Sequence, residues 1–353
     1  MSTLLGRKLG KYEIVDRLAQ GGMAEVYKAH QSGVERLVVV KVLHCHLANS
    51  ASFTERFRRE ALAVGSLQHP NIVRIIDFDT EDELQYMVMD YVQVGTLSDQ
   101  LKAQQRPSLI ETLHLGAQLA SALAYAHQQG VIHRDIKPGN ILFADSSFEH
   151  PVLTDFGLAH LCSDDLSILT MTGAMIGTPT YMSPEAVRGE KCDARADIYS
   201  LGVVLYELLT GTPPYIANSP YSMMMKLANE PLPPPRQLNP DLPRELEDIL
   251  LKALAKDPGE RYQSASELAD VLQNAQTALQ LGGKATVDSV GCAPSKPVTV
   301  ETARPLIQKE AVSPRVATPV SKRQAHQPWL PLAFAAGGVG LVAIALTALL
   351  MMV

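Results

Sequence analysis

Two hydrophobic rhythms divide the chain. Over residues 12–100 apolar positions alternate with polar ones or gather in short β-branched runs, which predicts strands at 12–18, 25–29, 37–43, 73–78 and 85–91. One stretch departs from that rhythm: 53–67 repeats apolar residues at helical intervals and predicts an amphipathic helix. From residue 108 onward the helical period dominates, in 109–129, 194–210, 244–254 and near 266–279. A β-rich front and an α-rich back predict an α+β chain of two lobes, with a ligand cleft where they join.

Two later segments follow neither rhythm. Residues 281–328 are rich in Pro, Thr, Ser and Ala without an apolar period, and read as a flexible, disordered linker. Residues 329–353 carry no charge. About 20 apolar residues, at about 1.5 Å each, match a bilayer core of about 30 Å, so one transmembrane helix is predicted there. Lys322 and Arg323 precede it and Trp329 marks its edge, which places the bulk of the chain on the cytoplasmic side of an inner or plasma membrane. With the sequence ending at Val353, the pattern is that of a single-pass tail anchor. Gly337, Gly338 and Gly340 would let a second such helix approach closely. The N-terminus lacks the basic-then-apolar pattern of a cleaved signal peptide.

Composition narrows the function classes. At 353 residues, with 46% hydrophobic and 19% charged residues, the chain can bury a large core. The net charge of −6 argues against a nucleic-acid partner. That charge is uneven: the linker carries +4, leaving −10 on the first 280 residues. Cys45, Cys162, Cys192 and Cys292 stand far apart with no CxxC pair, as expected of reduced thiols. His44 and His46 flank Cys45, but no second cluster completes a metal site.

The chemistry lies in four runs. His133-Arg134-Asp135-Ile136-Lys137-Pro138-Gly139-Asn140 is a polar loop; Asp155-Phe156-Gly157 and Ser183-Pro184-Glu185 lie downstream, and Val38-Val39-Val40-Lys41 upstream. In this order and spacing they resemble the protein kinases, specifically the eukaryotic-like Ser/Thr kinases of bacteria, over residues 12–272. The resemblance implies the bilobal protein-kinase fold, with a small β-rich N-lobe over about 12–92 and a large α-helical C-lobe over about 93–272.

Phosphoryl transfer needs placed phosphates, a divalent metal and an oriented hydroxyl. On the resemblance, Lys41 meets the nucleotide phosphates and pairs with Glu60, with Glu55 as the spare candidate. Asp135 is the base, and Lys137 neutralises the transferring phosphate. Asn140 and Asp155 offer hard oxygen ligands for Mg²⁺, or Mn²⁺. The glycine-rich flap corresponds to Ala19-Gln20-Gly21-Gly22-Met23-Ala24-Glu25-Val26, where alanines replace two family glycines and a stiffer or shifted flap is expected. Leu18, Gly21, Gly22, Val26, Val39, Met89, Asp90, Val92, Asp99 and Leu142 complete the expected ATP site. In it Met89 is the gatekeeper, Asp90 and Val92 offer hinge hydrogen bonds, and Val26 and Leu142 sandwich adenine. Val39 crowds the ring, and Asp99 reaches the ribose.

The segment from Asp155 to Glu185 matches an activation loop. Thr170 and Thr172 are its expected phosphorylation sites, and Arg134 the residue that pairs with the phosphate. Thr178 is expected to bond Asp135 and Lys137. Glu185, Arg261 and Asp197 are expected to hold the fold. The implied function is a membrane-tethered Ser/Thr kinase using ATP and Mg²⁺ on protein substrates, forming a homodimer when one chain phosphorylates another. The alternative is a membrane-anchored pseudokinase scaffold, for which the altered flap and Val39 are the support.

Overall fold

A computed structural model describes residues 4–21, 24–43, 58, 61–93, 95–145, 147–156 and 179–281. Six antiparallel strands form the first sheet: β1 (Lys8–Leu9), β2 (Tyr12–Gln20), β3 (Ala24–Gln31), β4 (Arg36–Leu43), β5 (Ile75–Glu81) and β6 (Leu84–Asp90), in the order β1-β2-β3-β4-β6-β5. Strand alternation gives the sheet two apolar faces. Val38, Val40 and Val42 of β4 pack with Tyr12, Tyr27, Tyr86 and Val88. The intervening Val39 and Leu43 pack with Ala24, Ala61, Met87 and Met89 on the other face. Lys41 belongs to this second set by register, so the alternation turns a charged residue toward the cleft.

The predicted strands match the observed ones to within a few residues, with one informative difference. The strand predicted at 73–78 begins at Ile75 because Ile72 and Val73 pair elsewhere. Val73 N–H donates to the Leu153 carbonyl and Leu153 N–H to the Asn71 carbonyl, each at 2.8 Å. This stitch joins the front of the chain to a second sheet, β7 (Gly95–Thr96), β8 (Ile141–Phe143) and β9 (Pro151–Leu153), whose strands are too short to show a period in sequence. Of the predicted helix 53–67, residues 58 and 61–65 are helical, and 53–57, 59 and 60 lie outside the described residues.

The back of the molecule is helical. After α1 (Leu97–Lys102) comes α2 (Leu109–Gln128), opened by a capping box in which Ser108 Oγ accepts from Glu111 N–H and the Glu111 carboxylate from Ser108 N–H. The short α3 (Pro184–Val187) precedes α4 (Arg195–Thr210), which is buried along most of its length and forms the spine of the core. Then follow α5 (Pro220–Asn229), α6 (Pro235–Leu238), α7 (Arg244–Ala253) and α8 (Ala265–Gln280). A Cβ on Gly116 of α2 would lie 2.8 Å from Leu205 of α4 and 3.2 Å from Leu272 of α8. The missing side chain is what lets three helices meet there. Helix α8 matches the helix predicted near 266–279 to within a residue at each end, and so runs past residue 272, where the resemblance read in the sequence ends. No helix among the described residues is long and apolar enough to cross a membrane, and 329–353 lies outside them.

Candidate active site

The loop after α2 is held from beneath. Asp197, near the start of α4 and fully buried, accepts from His133 N–H at 2.8 Å and from Arg134 N–H at 2.7 Å. His127 Nε2 adds a third bond at 2.8 Å. These bonds support Arg134 in a left-handed conformation, φ +64°, which is unfavourable for a residue with a Cβ. The turn leaves the Arg134 side chain exposed and brings Asp135 into the cleft.

His133 joins the two acidic segments. It is buried and packed against Phe156, 4.3 Å between ring centroids with the rings tilted by 41°. Its Nδ1 accepts from Asp135 N–H at 3.3 Å, and its Nε2 lies 3.0 Å from the Thr154 carbonyl. An amide only donates and a carbonyl only accepts, so the ring is neutral with its proton on Nε2. Burial pushes its pKa down, consistent with that form. His127 and His133 escaped the sequence reading as functional residues, because nothing local marks a histidine whose partners lie far along the chain.

The chemistry-bearing groups converge in two clusters. Lys137 Nζ donates to Asp135 Oδ2 at 2.7 Å. Asn140 Nδ2 donates to the Asp135 carbonyl at 2.8 Å and to Oδ2 at 2.9 Å. With its amide nitrogen committed, the Asn140 side-chain oxygen remains an acceptor. In the second cluster Lys41 Nζ meets Asp155 Oδ1 at 2.9 Å. Burial pushes the Asp155 carboxyl up, but the adjacent Lys41 ammonium outweighs it and holds the group below the ordinary carboxylate range. Asp155 also has a left-handed φ of +64°. A carboxylate and a carboxamide oxygen joined by the Thr154 N–H to Asn140 carbonyl bond, 3.0 Å, make a hard-oxygen set that fits Mg²⁺ or Mn²⁺.

The remaining expected positions form the roof and rear of the cleft. Gly21 N–H closes the β2–β3 hairpin on the Ala24 carbonyl at 2.9 Å. Ala19 pairs with Val26, and neither Ala19 nor Ala24 has a positive φ, so the alanines cause no backbone strain there. Ala24 is buried beside Leu43 and Ala61. Leu18 is exposed, and Val26, Val39 and Leu142 are half-buried. Met89 lies opposite Val39 and takes a contact from Thr154 Oγ1 at 3.8 Å. With Met87, Val64, Val73 and Phe156 it encloses a cavity of about 10 Å³, at the lower limit for one water.

Asp90 N–H is already bonded to the Arg74 carbonyl at 3.1 Å, which restricts its hinge role to the carbonyl. Val92 follows two residues later. Asp99 caps α1, accepting from Thr96 N–H at 3.1 Å and Thr96 Oγ1 at 2.6 Å, so its carboxylate is partly engaged at the position where a ribose contact was expected. Glu55, Glu60, Gly22, Thr170, Thr172, Thr178, His44, Cys45 and His46 lie outside the described residues. Glu185 and Arg261, by contrast, are buried and joined by two bonds of 2.7 Å. Tyr181 donates to Glu207 Oε2 at 2.7 Å, a pair the sequence did not announce.

Residues 12–273 match the protein kinase domain family. The chain is similar to serine/threonine-protein kinase PrkC of Bacillus subtilis, 40% identical over 282 residues, which is 80% of this chain and 43% of that protein. It is also similar to serine/threonine-protein kinase PknB of Mycobacterium tuberculosis, 41% identical over 268 residues, 74% of this chain and 42% of that one. The chain thus spans about two fifths of the length of the curated relatives it matches. Among solved structures, the PknI kinase domain of Mycobacterium tuberculosis aligns with a TM-score of 0.62 at 29% identity, covering 78% of this chain and 100% of that one.

Proposed function

The chain belongs to the protein kinase family, and on that premise we propose that it is a serine/threonine protein kinase passing the ATP γ-phosphoryl group to protein hydroxyls. The observation that carries this reading is the meeting of Lys137, Asn140 and Asp135 in one cluster and Lys41 and Asp155 in another. Each acid is neutralised by a lysine in the free protein. When the nucleotide enters, Lys41 exchanges its carboxylate partner for phosphate oxygens. Asp155 and Asn140 are the residues that would hold Mg²⁺, which bound there supplies charge neutralisation to the phosphates. Asp135 accepts a hydrogen bond from the acceptor hydroxyl and orients it for attack, and Lys137 balances charge on the group in transit. The pseudokinase alternative is not favoured, since Lys41, Glu60, Asp135, Asn140 and Asp155 are all present in the sequence.

Three further features belong to the same proposal. Thr170 or Thr172 is phosphorylated by a second copy of the chain, and Arg134, whose side chain is exposed, pairs with that phosphate. Residues 329–353 anchor the protein in an inner or plasma membrane. Residues 281–328 tether the catalytic part on the cytoplasmic side. The test is incubation of the full chain with Mg-ATP and mapping of phosphate. Label on Thr170 or Thr172 that disappears in Asp135→Asn and in Lys41→Met is expected; equal label in those variants overturns the assignment. Deleting 329–353 is expected to release the protein from membranes while activity persists, and a truncated form that stays membrane-bound refutes the anchor.

A further inference from the structure

Helix α5 underlies the segment that carries Ser183 and Glu185. Its buried Met223 and Leu227 pack with Tyr215, Val187 and Leu232, and it also touches the turn at 179–181. The C-terminal end of α5 is held by side chains from elsewhere, Lys256 and Tyr215. Lys256 Nζ donates to the Leu227 carbonyl in the last turn of the helix. The same ammonium lies 4.5 Å from the centre of the Tyr215 ring, whose hydroxyl donates to the Glu230 carbonyl at 2.9 Å. The Lys256 carbonyl accepts from Arg261 at 3.2 Å. One residue therefore links α5 to the Glu185–Arg261 pair. A cation suits this place, since the last carbonyls of a helix lack intrahelical donors and a ring face attracts positive charge.

The charged groups that face Lys256 are Arg188 at the end of α3, Arg261 in the turn before α8, and Glu230 at the end of α5. Burial lowers its pKa, Arg188 and Arg261 lower it further, and Glu230 opposes them, leaving it at about 8. The ammonium persists at neutral pH and is lost a little above it.

Building on the kinase reading, we propose that Lys256 is a positioning residue: by pinning α5 beneath the shelf formed by 179–187, it sets affinity for the protein acceptor and leaves affinity for the nucleotide unchanged. Lys41, Asp135, Asp155 and the hinge are carried on other elements, so loosening α5 disturbs the acceptor side alone.

The test uses the full chain with Mg-ATP and dephosphorylated casein as acceptor. Lys256→Met is expected to raise KM for casein about fivefold at neutral pH, with KM for ATP and kcat within about twofold of wild type. Lys256→Arg is expected to restore wild-type behaviour. Wild-type KM for casein should rise as pH passes about 8, while Lys256→Met and Lys256→Arg stay level. An unchanged KM for casein in Lys256→Met, or the same rise in Lys256→Arg, overturns the proposal. Hydrogen exchange over residues 220–229, measured without acceptor at one pH, should be about fivefold faster in Lys256→Met. Unchanged exchange overturns the pin whatever the activity shows. A wild-type chain that transfers nothing to casein counts against the kinase reading, and the exchange measurement then decides the pin.

Discussion

Among the described residues the buried Arg261–Glu185 pair and the lysine–carboxylate pairs of the cleft have surroundings that give them opposite uses. Between Arg261 and Glu185 every guanidinium N–H has a partner: the two Glu185 oxygens and the carbonyls of Ala255, Arg195 and Lys256. The side chains are 0% and 5% exposed, and the guanidinium lies over Tyr199. No guanidinium N–H in that cluster is left to bind anything else. The cleft pairs differ. Lys137 and Asp135 are 32% and 28% exposed, and Asp155 keeps 32% of its side chain open. Among the described residues each cleft lysine has one carboxylate partner, and a lysine facing an open carboxylate can exchange partners. Saturation and burial make a structural pair, and exposure at a cleft makes a working one.

The largest expected effect is on the cleft side of this comparison. Lys137→Ala should lower kcat about 10²- to 10⁴-fold with the urea midpoint of unfolding nearly unchanged, since a half-exposed pair adds little stability. A matching loss of stability would erase the distinction. On the other side, Arg261→Met leaves Glu185 buried without its partner, and the expected cost is about 3–5 kcal/mol in urea unfolding.

Acid sharpens the contrast. Burial pushes the Glu185 carboxyl up, but Arg261 outweighs it and holds the group below the ordinary glutamate range. A depressed folded pKa contributes stability that is present above the unfolded value, about 4.3, and is lost as pH falls through it toward the folded one. Wild-type unfolding free energy should therefore decline in that window. In Arg261→Met the sign reverses, because unpaired burial raises the folded pKa, and the penalty of the substitution should shrink on mild acidification. A penalty that grows instead would show that the pair is not what stabilises this region. The smallest expected effect is Ser108→Ala, which removes the α2 cap and should cost about 1 kcal/mol by thermal or urea unfolding, with kcat unchanged.

The sequence alone determined the two-lobed α+β layout, the principal strands and long helices, and the identities of Lys41, Asp135, Lys137, Asn140 and Asp155. These are local properties: period and short motifs survive without knowledge of what lies opposite. Tertiary structure decided what depends on partners distant in the chain. It made Val73 part of a stitch to β9 rather than the start of β5. It recruited His127 to Asp197 and fixed the His133 tautomer between Asp135 and Thr154. It gave Asp155 to Lys41, engaged Asp99 in a helix cap, and placed Lys256 against α5. A hydrogen bond across a hundred residues leaves no mark on either neighbourhood in sequence, because its energy depends on distance and burial, which exist only once the chain has folded.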